Sequence, residues 1–208
     1  MSRLANNLMK KGYLKTDVII DAFYSIGREE FVPEDLVGSA GLDIPLPIGH
    51  GQTISQPMTV AFMLELLDPQ RGQNILDLGS GSGWTTALLS YIAGDKGKVT
   101  AIERIKELCE FGEKNVDKYG FVKKGIVEFH CIDGNEGFAG NAPYDRILVS
   151  AMTKDIPQAL KKQLKIGGKM VIPVHNDIWY LEKKGEDEFH KEEFPGFSFV
   201  PLIQKNDF

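Results

Sequence analysis

The run Ile75-Leu76-Asp77-Leu78-Gly79-Ser80-Gly81-Ser82-Gly83 decides how this chain folds. A short apolar stretch empties into glycines alternating with serines, and helical spacing follows at once over 84–93. A strand, a glycine-dense turn and a helix in that order make the opening unit of a parallel α/β sheet. Outward from it the pattern repeats. Strands are expected over 74–78, 98–102, 127–131 and 144–150, with helices over 106–119 and 156–164 and a further strand over 169–174 after Gly167-Gly168. Strands alternating with helical stretches imply right-handed crossovers and a doubly wound, mostly parallel sheet.

The two ends read differently. Residues 4–9 and 17–24 are short amphipathic helices, with Thr16 or Asp17 placed to cap the second. Residues 31–51 carry Pro33, Pro45 and Pro47 and glycines at 38, 41, 49 and 51, so an ordered loop region without long regular elements is expected. Helical spacing returns over 58–67 behind Pro57, with Ser55 placed to cap it. Residues 177–183 and 188–194 flank Gly185 and predict a terminal antiparallel hairpin. One domain is expected over 1–208: an N-terminal helical and loop extension over 1–70, a cofactor-binding core over 71–175, and the hairpin over 176–208.

Composition narrows the class. Against 24 Lys and Arg stand 29 Asp and Glu, a net charge of −5, which disfavours broad binding to nucleic acid. Cys109 and Cys131 sit in no CxxC or Cys/His cluster, so reduced thiols are expected rather than a disulfide scaffold. His50, His130, His175 and His190 lack metal-ligand spacing, and no metal site is expected. The N-terminus lacks an apolar stretch of signal-peptide length, and no run approaches the ~18 apolar residues of a membrane span. A soluble cytoplasmic protein without membrane contact is expected.

In a doubly wound sheet, ligands collect where the strand order reverses, beside the carboxyl ends of the strands. A GxGxG turn alone does not choose among ligands, because dinucleotide enzymes use similar turns. Two acids sharpen the choice. Glu103 closes the second strand, where a carboxylate accepts protons from both ribose hydroxyls, and Asp133-Gly134 follows the third, within reach of an adenine amino group. Trp84 stands where a GxGxxG turn has its third glycine, which favours adenosine without a pyrophosphate. The candidate ligand residues are Gly79, Ser80, Gly81, Ser82, Glu103, Asp133 and Gly134. The pattern resembles the Rossmann-like class I methyltransferases, and that resemblance implies S-adenosyl-L-methionine as cofactor.

A second stretch, Leu46-Pro47-Ile48-Gly49-His50-Gly51-Gln52-Thr53-Ile54-Ser55-Gln56-Pro57, precedes the first strand of the sheet. Read alone it is a polar, glycine-rich loop before a helix. GQTISQP behind LPIG nevertheless resembles the signature of the protein-L-isoaspartate O-methyltransferases. The similarity extends to Arg28-Glu29-Glu30-Phe31-Val32-Pro33, the glycine turn with Trp84, Glu103-Arg104-Ile105, Asp133-Gly134, the run 142–147 and Phe199-Val200-Pro201-Leu202. Gly41, Asp77, Trp84 and Cys131-Ile132 depart from the usual family residues.

The resemblance implies methyl transfer to the free carboxylate of L-isoaspartyl residues in damaged proteins, with Ser55 as the catalytic-site residue. Thr53 and Ile54 would shape the substrate groove, and His50 is a candidate contact to cofactor or substrate. Family members are often monomeric. Methyl transfer from a sulfonium to an ionised carboxylate needs alignment rather than a strong base. Two other readings stay open: a class I methyltransferase with a different acceptor, and a non-catalytic relative that binds the cofactor or damaged peptides. The place of the tetrad used by enzymes that methylate base amino groups reads Ser150-Ala151-Met152-Thr153, without that motif.

Overall fold

The structure is a computed structural model that describes residues 3–202; residues 1–2 and 203–208, the outer ends of the two terminal units expected from sequence, lie outside the described residues. The chain begins with helices α1 (Arg3–Lys10) and α2 (Asp17–Ser25), then two 3₁₀ turns, Arg28–Phe31 and Glu34–Ser39. A small hairpin of β1 (Leu46–Gly49) and β2 (Gln52–Ile54) leads into α3 (Pro57–Leu67). The alternating part follows as β3 (Asn74–Leu78), α4 (Trp84–Ala93), β4 (Lys98–Ile102), α5 (Lys106–Asp117), β5 (Val127–His130), β6 (Tyr144–Val149), α6 (Gln158–Gln163) and β7 (Leu164–Val174). The antiparallel strands β8 (Asp177–Lys183) and β9 (Phe189–Pro195) complete a seven-stranded sheet of order β5-β4-β3-β6-β7-β8-β9.

Strands buried on both faces need apolar residues at nearly every position. Accordingly β3 and β4 are each buried from their second residue onward, and β6 at every position but one. β3 pairs in parallel with β4 on one side and β6 on the other. The chain therefore runs outward from β3 to β5 and returns across it to β6. Strand order reverses at β3, and the crevice at its carboxyl end lies between the exits of β3 and β6. Ile75, Val99 and Ala101 pack with α3, α4 and the N-terminal helices on one face. Leu76, Leu78 and Ile147 pack with Leu160 of α6 on the other.

Several local readings are corrected. The helix expected over 156–164 begins at Gln158 because Pro157 serves as its N-cap. The strand expected from Lys169 begins at Leu164, and its register with β6 shifts across the Gly167-Gly168 pair, with Gly167 at φ +80°. Residues 31–51, expected to lack long regular elements, hold only 3₁₀ turns and β1, and the hairpin then turns at His50-Gly51. Both of those residues have positive φ, as a two-residue hairpin loop requires. Neither expected hydroxyl caps its helix. Thr16 donates to Glu65 Oε2 at 2.8 Å instead, and the N-cap of α3 is Gln56 rather than Ser55. The open amide of Met58 donates to Asp43 Oδ1 at 2.9 Å.

The largest correction is covalent. Cys109 of α5 and Cys131, just past β5, form a disulfide where reduced thiols were expected. Twenty-two residues of separation hide a Cα–Cα distance of 5.7 Å, within bridging range. Among the described residues no helix is long and apolar enough to cross a membrane.

Candidate active site

The glycine turn is fixed by its own backbone before any ligand is considered. Gly79 and Ser80 donate to the carbonyl of Ile102 at 2.8 and 3.0 Å, which ties the exit of β3 to the end of β4. Gly81 donates to Glu103 Oε2 at 3.0 Å, and Ile105 donates to Glu103 Oε1 at 2.9 Å. Each carboxylate oxygen of Glu103 thus accepts one amide and keeps a further lone pair. Glu103 is only 8% exposed.

The turn is also packed against α5 at backbone distance. A Cβ on Gly83 would meet the carbonyl oxygen of Gly112 at 2.8 Å, and a Cβ on Gly112 would meet that of Gly81 at 2.7 Å. Asn115 of α5 donates to the Ser82 carbonyl at 3.1 Å. On the other side, Asp77 is fully buried and its Oδ2 accepts the hydroxyls of Thr86 and Thr85 at 2.6 and 3.0 Å. Burial pushes its carboxyl up to about 6, and the nearby Glu103 charge adds to the rise, while the two threonine hydrogen bonds oppose it.

One cleft gathers these groups. It opens at the carboxyl ends of β3 and β4. Gly79, Ser80, Gly81, Ser82, Glu103, Asp133 and Gly134 all line it, and Thr53, Ile54 and Ser55 form the facing wall. The two stretches singled out in the sequence therefore meet across one cavity. His50 does not reach it. That side chain is exposed at the hairpin tip, where its φ of +52° lies in the left-handed region that histidine tolerates better than most residues.

Other parts of the wall were not assigned from sequence. Val200, Pro201 and Leu202 border the cleft because the chain returns beside the exit of β6: Met152 donates to the Val200 carbonyl at 2.8 Å and Leu202 to the Met152 carbonyl at 2.7 Å. Trp84, the first residue of α4, also lines it. The similarity at 199–202 was the available signal, but nothing in that run's residue types specifies a role.

The cleft fits an adenosyl sulfonium. Two carboxylates, Glu103 and Asp133, border it against one guanidinium, Arg104, a net negative balance suited to a cation. Ser80 Oγ and Trp84 Nε1 are buried at its wall without hydrogen-bond partners in the protein, and buried polar atoms of that kind call for a ligand or water. Gly134 has no room for a side chain, since a Cβ there would meet Leu78 Cγ at 2.8 Å. Among the described residues no group of three or more His, Cys, Asp or Glu is arranged to hold a metal ion.

A sequence model of the protein-L-isoaspartate(D-aspartate) O-methyltransferases matches residues 1–207. The protein-L-isoaspartate O-methyltransferase of Methanopyrus kandleri is 43% identical over 210 residues, covering 99% of this chain and 92% of its own. That of Methanothermobacter thermautotrophicus is 42% identical over 209 residues, covering 98% and 95%. A solved structure described as a protein-L-isoaspartate O-methyltransferase superposes with a TM-score of 0.87 at 29% identity, over 96% of this chain and 64% of the other. A Plasmodium falciparum structure assigned to the same activity, in complex with S-adenosyl-L-homocysteine, gives 0.86 at 24% identity over 97% of each chain, a likeness of fold.

Proposed function

The chain belongs to the protein-L-isoaspartate(D-aspartate) O-methyltransferase family, and we propose that it transfers the methyl group of S-adenosyl-L-methionine to the free carboxylate of L-isoaspartyl residues in damaged proteins, which begins their repair. One observation carries the reading: the glycine turn with its two strand-end acids and the Thr53–Ser55 strand end are opposite walls of a single cleft.

The chemistry asks for alignment. When bound, the cofactor supplies a methyl carbon on a sulfonium whose departure leaves a neutral thioether. The acceptor, a free carboxyl with an ordinary pKa near ~4, is already ionised at neutral pH, so the protein needs no strong base. Glu103 would accept the ribose hydroxyls on its remaining lone pairs, and Asp133 the adenine amino group. Ser80 and the backbone of Gly79–Ser82 would line the methionine end. Ser55 would hold the isoaspartyl carboxylate by its hydroxyl, with Thr53 and Ile54 beside it, and Val200–Leu202 would help exclude water.

An acidic net charge of −5 supports protein rather than nucleic-acid substrates. A soluble, cytoplasmic monomer is the accompanying reading. The N-terminal helices share a hydrophobic cluster with one face of the sheet, which supports a single domain. The test is incubation with methyl-labelled cofactor and an isoaspartyl peptide, beside its ordinary aspartyl twin. Label on the isoaspartyl peptide alone is the expected result. Label on neither peptide, or equally on both, overturns the acceptor assignment.

A further inference from the structure

Arg28 is 2% exposed, and its guanidinium spends its four terminal N–H bonds on backbone carbonyls. Nη1 donates to Ala40 at 3.1 Å and Leu42 at 3.2 Å. Nη2 donates to Ile44 at 2.8 Å and Ser55 at 3.0 Å, with the Ile54 carbonyl at 3.5 Å. These acceptors come from two segments separated by about ten residues of chain. One is the irregular stretch 40–44, and the other is the end of β2 where Ser55 enters the cleft. The same guanidinium carbon lies 5.4 Å from the centroid of the Trp84 ring. Trp84 starts α4 directly after the glycine turn, borders the cleft, and is held edge-on by Phe23 at 5.5 Å.

We propose that Arg28 is a positioning residue for methyl transfer: it fixes the distance between Ser55 and the glycine turn by clamping the Ser55 and 40–44 carbonyls onto the Trp84 ring. The inference rests on the acceptor role given to Ser55 above. Its physical basis is the planar fork of an arginine, which reaches four carbonyls in set directions while its face stacks on an aromatic ring. A lysine ammonium offers three donors from one point and no face to stack. Burial lowers the Arg28 pKa to about 10, while the nearby Asp43 charge opposes that, so the fork stays charged at neutral pH. Asp43 secures the far side of the clamp. Its Oδ1 accepts the Met58 amide, and its carbonyl accepts Gln56 Nε2 at 3.0 Å. The 40–44 stretch is thereby anchored to α3 as well as to Ser55.

A plain structural brace would affect stability, cofactor affinity and turnover together. A positioning residue separates them. For Arg28→Ala we expect kcat with an isoaspartyl peptide to fall ~10²-fold, the scale of a misplacement of about 1 Å. The KM for peptide and the Kd for S-adenosyl-L-homocysteine should stay within ~3-fold. Guanidinium at ~20 mM, far below the molar range that unfolds proteins, should restore part of the lost kcat, whereas ammonium should not. Arg28→Lys, which keeps the charge and protects against a failure to fold, should still lose ~10-fold in kcat.

Hydrogen exchange reads the clamp without any catalysis. The amides of Leu42, Asp43, Ile44 and Leu46 and those over 53–56 should exchange faster in Arg28→Lys, with those over 79–83 unchanged. Full kcat in Arg28→Lys overturns the proposal, as does a cofactor Kd that rises in step with the loss of kcat and is not rescued by guanidinium. If the unaltered protein methylates no isoaspartyl peptide, the acceptor reading fails, and the exchange result still decides whether Arg28 clamps the loop.

Discussion

The two walls of the cleft are built by different means. The cofactor wall is a product of local order. β3, the glycine turn and α4 are consecutive, and the acid at the end of β4 lies against the turn through hydrogen bonds to Gly81 and Ile105. The acceptor wall has little regular structure, only a three-residue strand with a short partner. Its shape depends on side chains that arrive from elsewhere, Arg28 and Asp43 foremost. One wall is held by the sheet, and the other by polar contacts to its backbone together with the burial of Leu46, Ile48 and Ile54 in the core. The contrast suits the chemistry: a nucleoside has one shape, whereas damaged proteins present the same carboxylate in many surroundings.

Substitutions on the two walls should therefore separate binding from turnover. The largest effect is expected at Ser55→Ala, with kcat reduced ~10³-fold, at the upper end for removing one donor to a reacting oxygen, and the Kd for S-adenosyl-L-homocysteine within ~2-fold. Single-turnover assays and calorimetry measure the two quantities. An equal loss in both would erase the distinction between the walls. Glu103→Gln should act the other way. It loses the charge behind two hydrogen bonds worth roughly 1.5 kcal/mol each, so cofactor affinity should weaken ~10²-fold, while kcat at saturating cofactor changes far less. Unaltered affinity would remove Glu103 from the ribose position.

The smallest effect is one of stability. Asp77 has a folded pKa of about 6 against an ordinary 3.8, raised chiefly by burial. A folded state that binds the proton more tightly gains stability from protonation. That gain is complete below about 3.8 and is lost as pH rises through about 6. Asp77→Asn should then be more stable than the unaltered chain above pH 6, by about 2 kcal/mol. The full shift would give more, but the amide is a weaker acceptor for the Thr85 and Thr86 hydroxyls. The difference should close on acidification toward pH 4. Thermal melts of both proteins from pH 4 to 8 test it, and parallel curves would refute the buried-charge account.

This division between the walls also explains what could be read from sequence. Apolar runs and glycine spacing are periodic signals. β3, α4 and β4 are found at the expected positions, and Gly79–Ser82, Glu103 and Asp133 are brought to one cleft. Ser55 was reached by resemblance rather than by pattern, because a serine before a helix also reads as a cap. Arg28 was visible as part of a matched run, yet its partners are carbonyls, which have no side-chain identity for a sequence to display. Glycines 83 and 112 touch across 29 positions, and nothing local to either announces the other. The order of β8 and β9 at the sheet edge, and the pairing of Cys109 with Cys131, depend likewise on distances that spacing along the chain does not encode.

That covalent link has a practical consequence for the adenine side of the cleft. It joins α5, the helix whose Gly112 abuts the glycine turn, to a residue two positions before Asp133. Samples handled with and without a thiol reductant are therefore two molecules differing by a pair of hydrogens. In the reduced one the stretch leading to Asp133 loses its covalent tie to α5, so a dissociation constant for the cofactor belongs to whichever redox form was in the cell of the calorimeter.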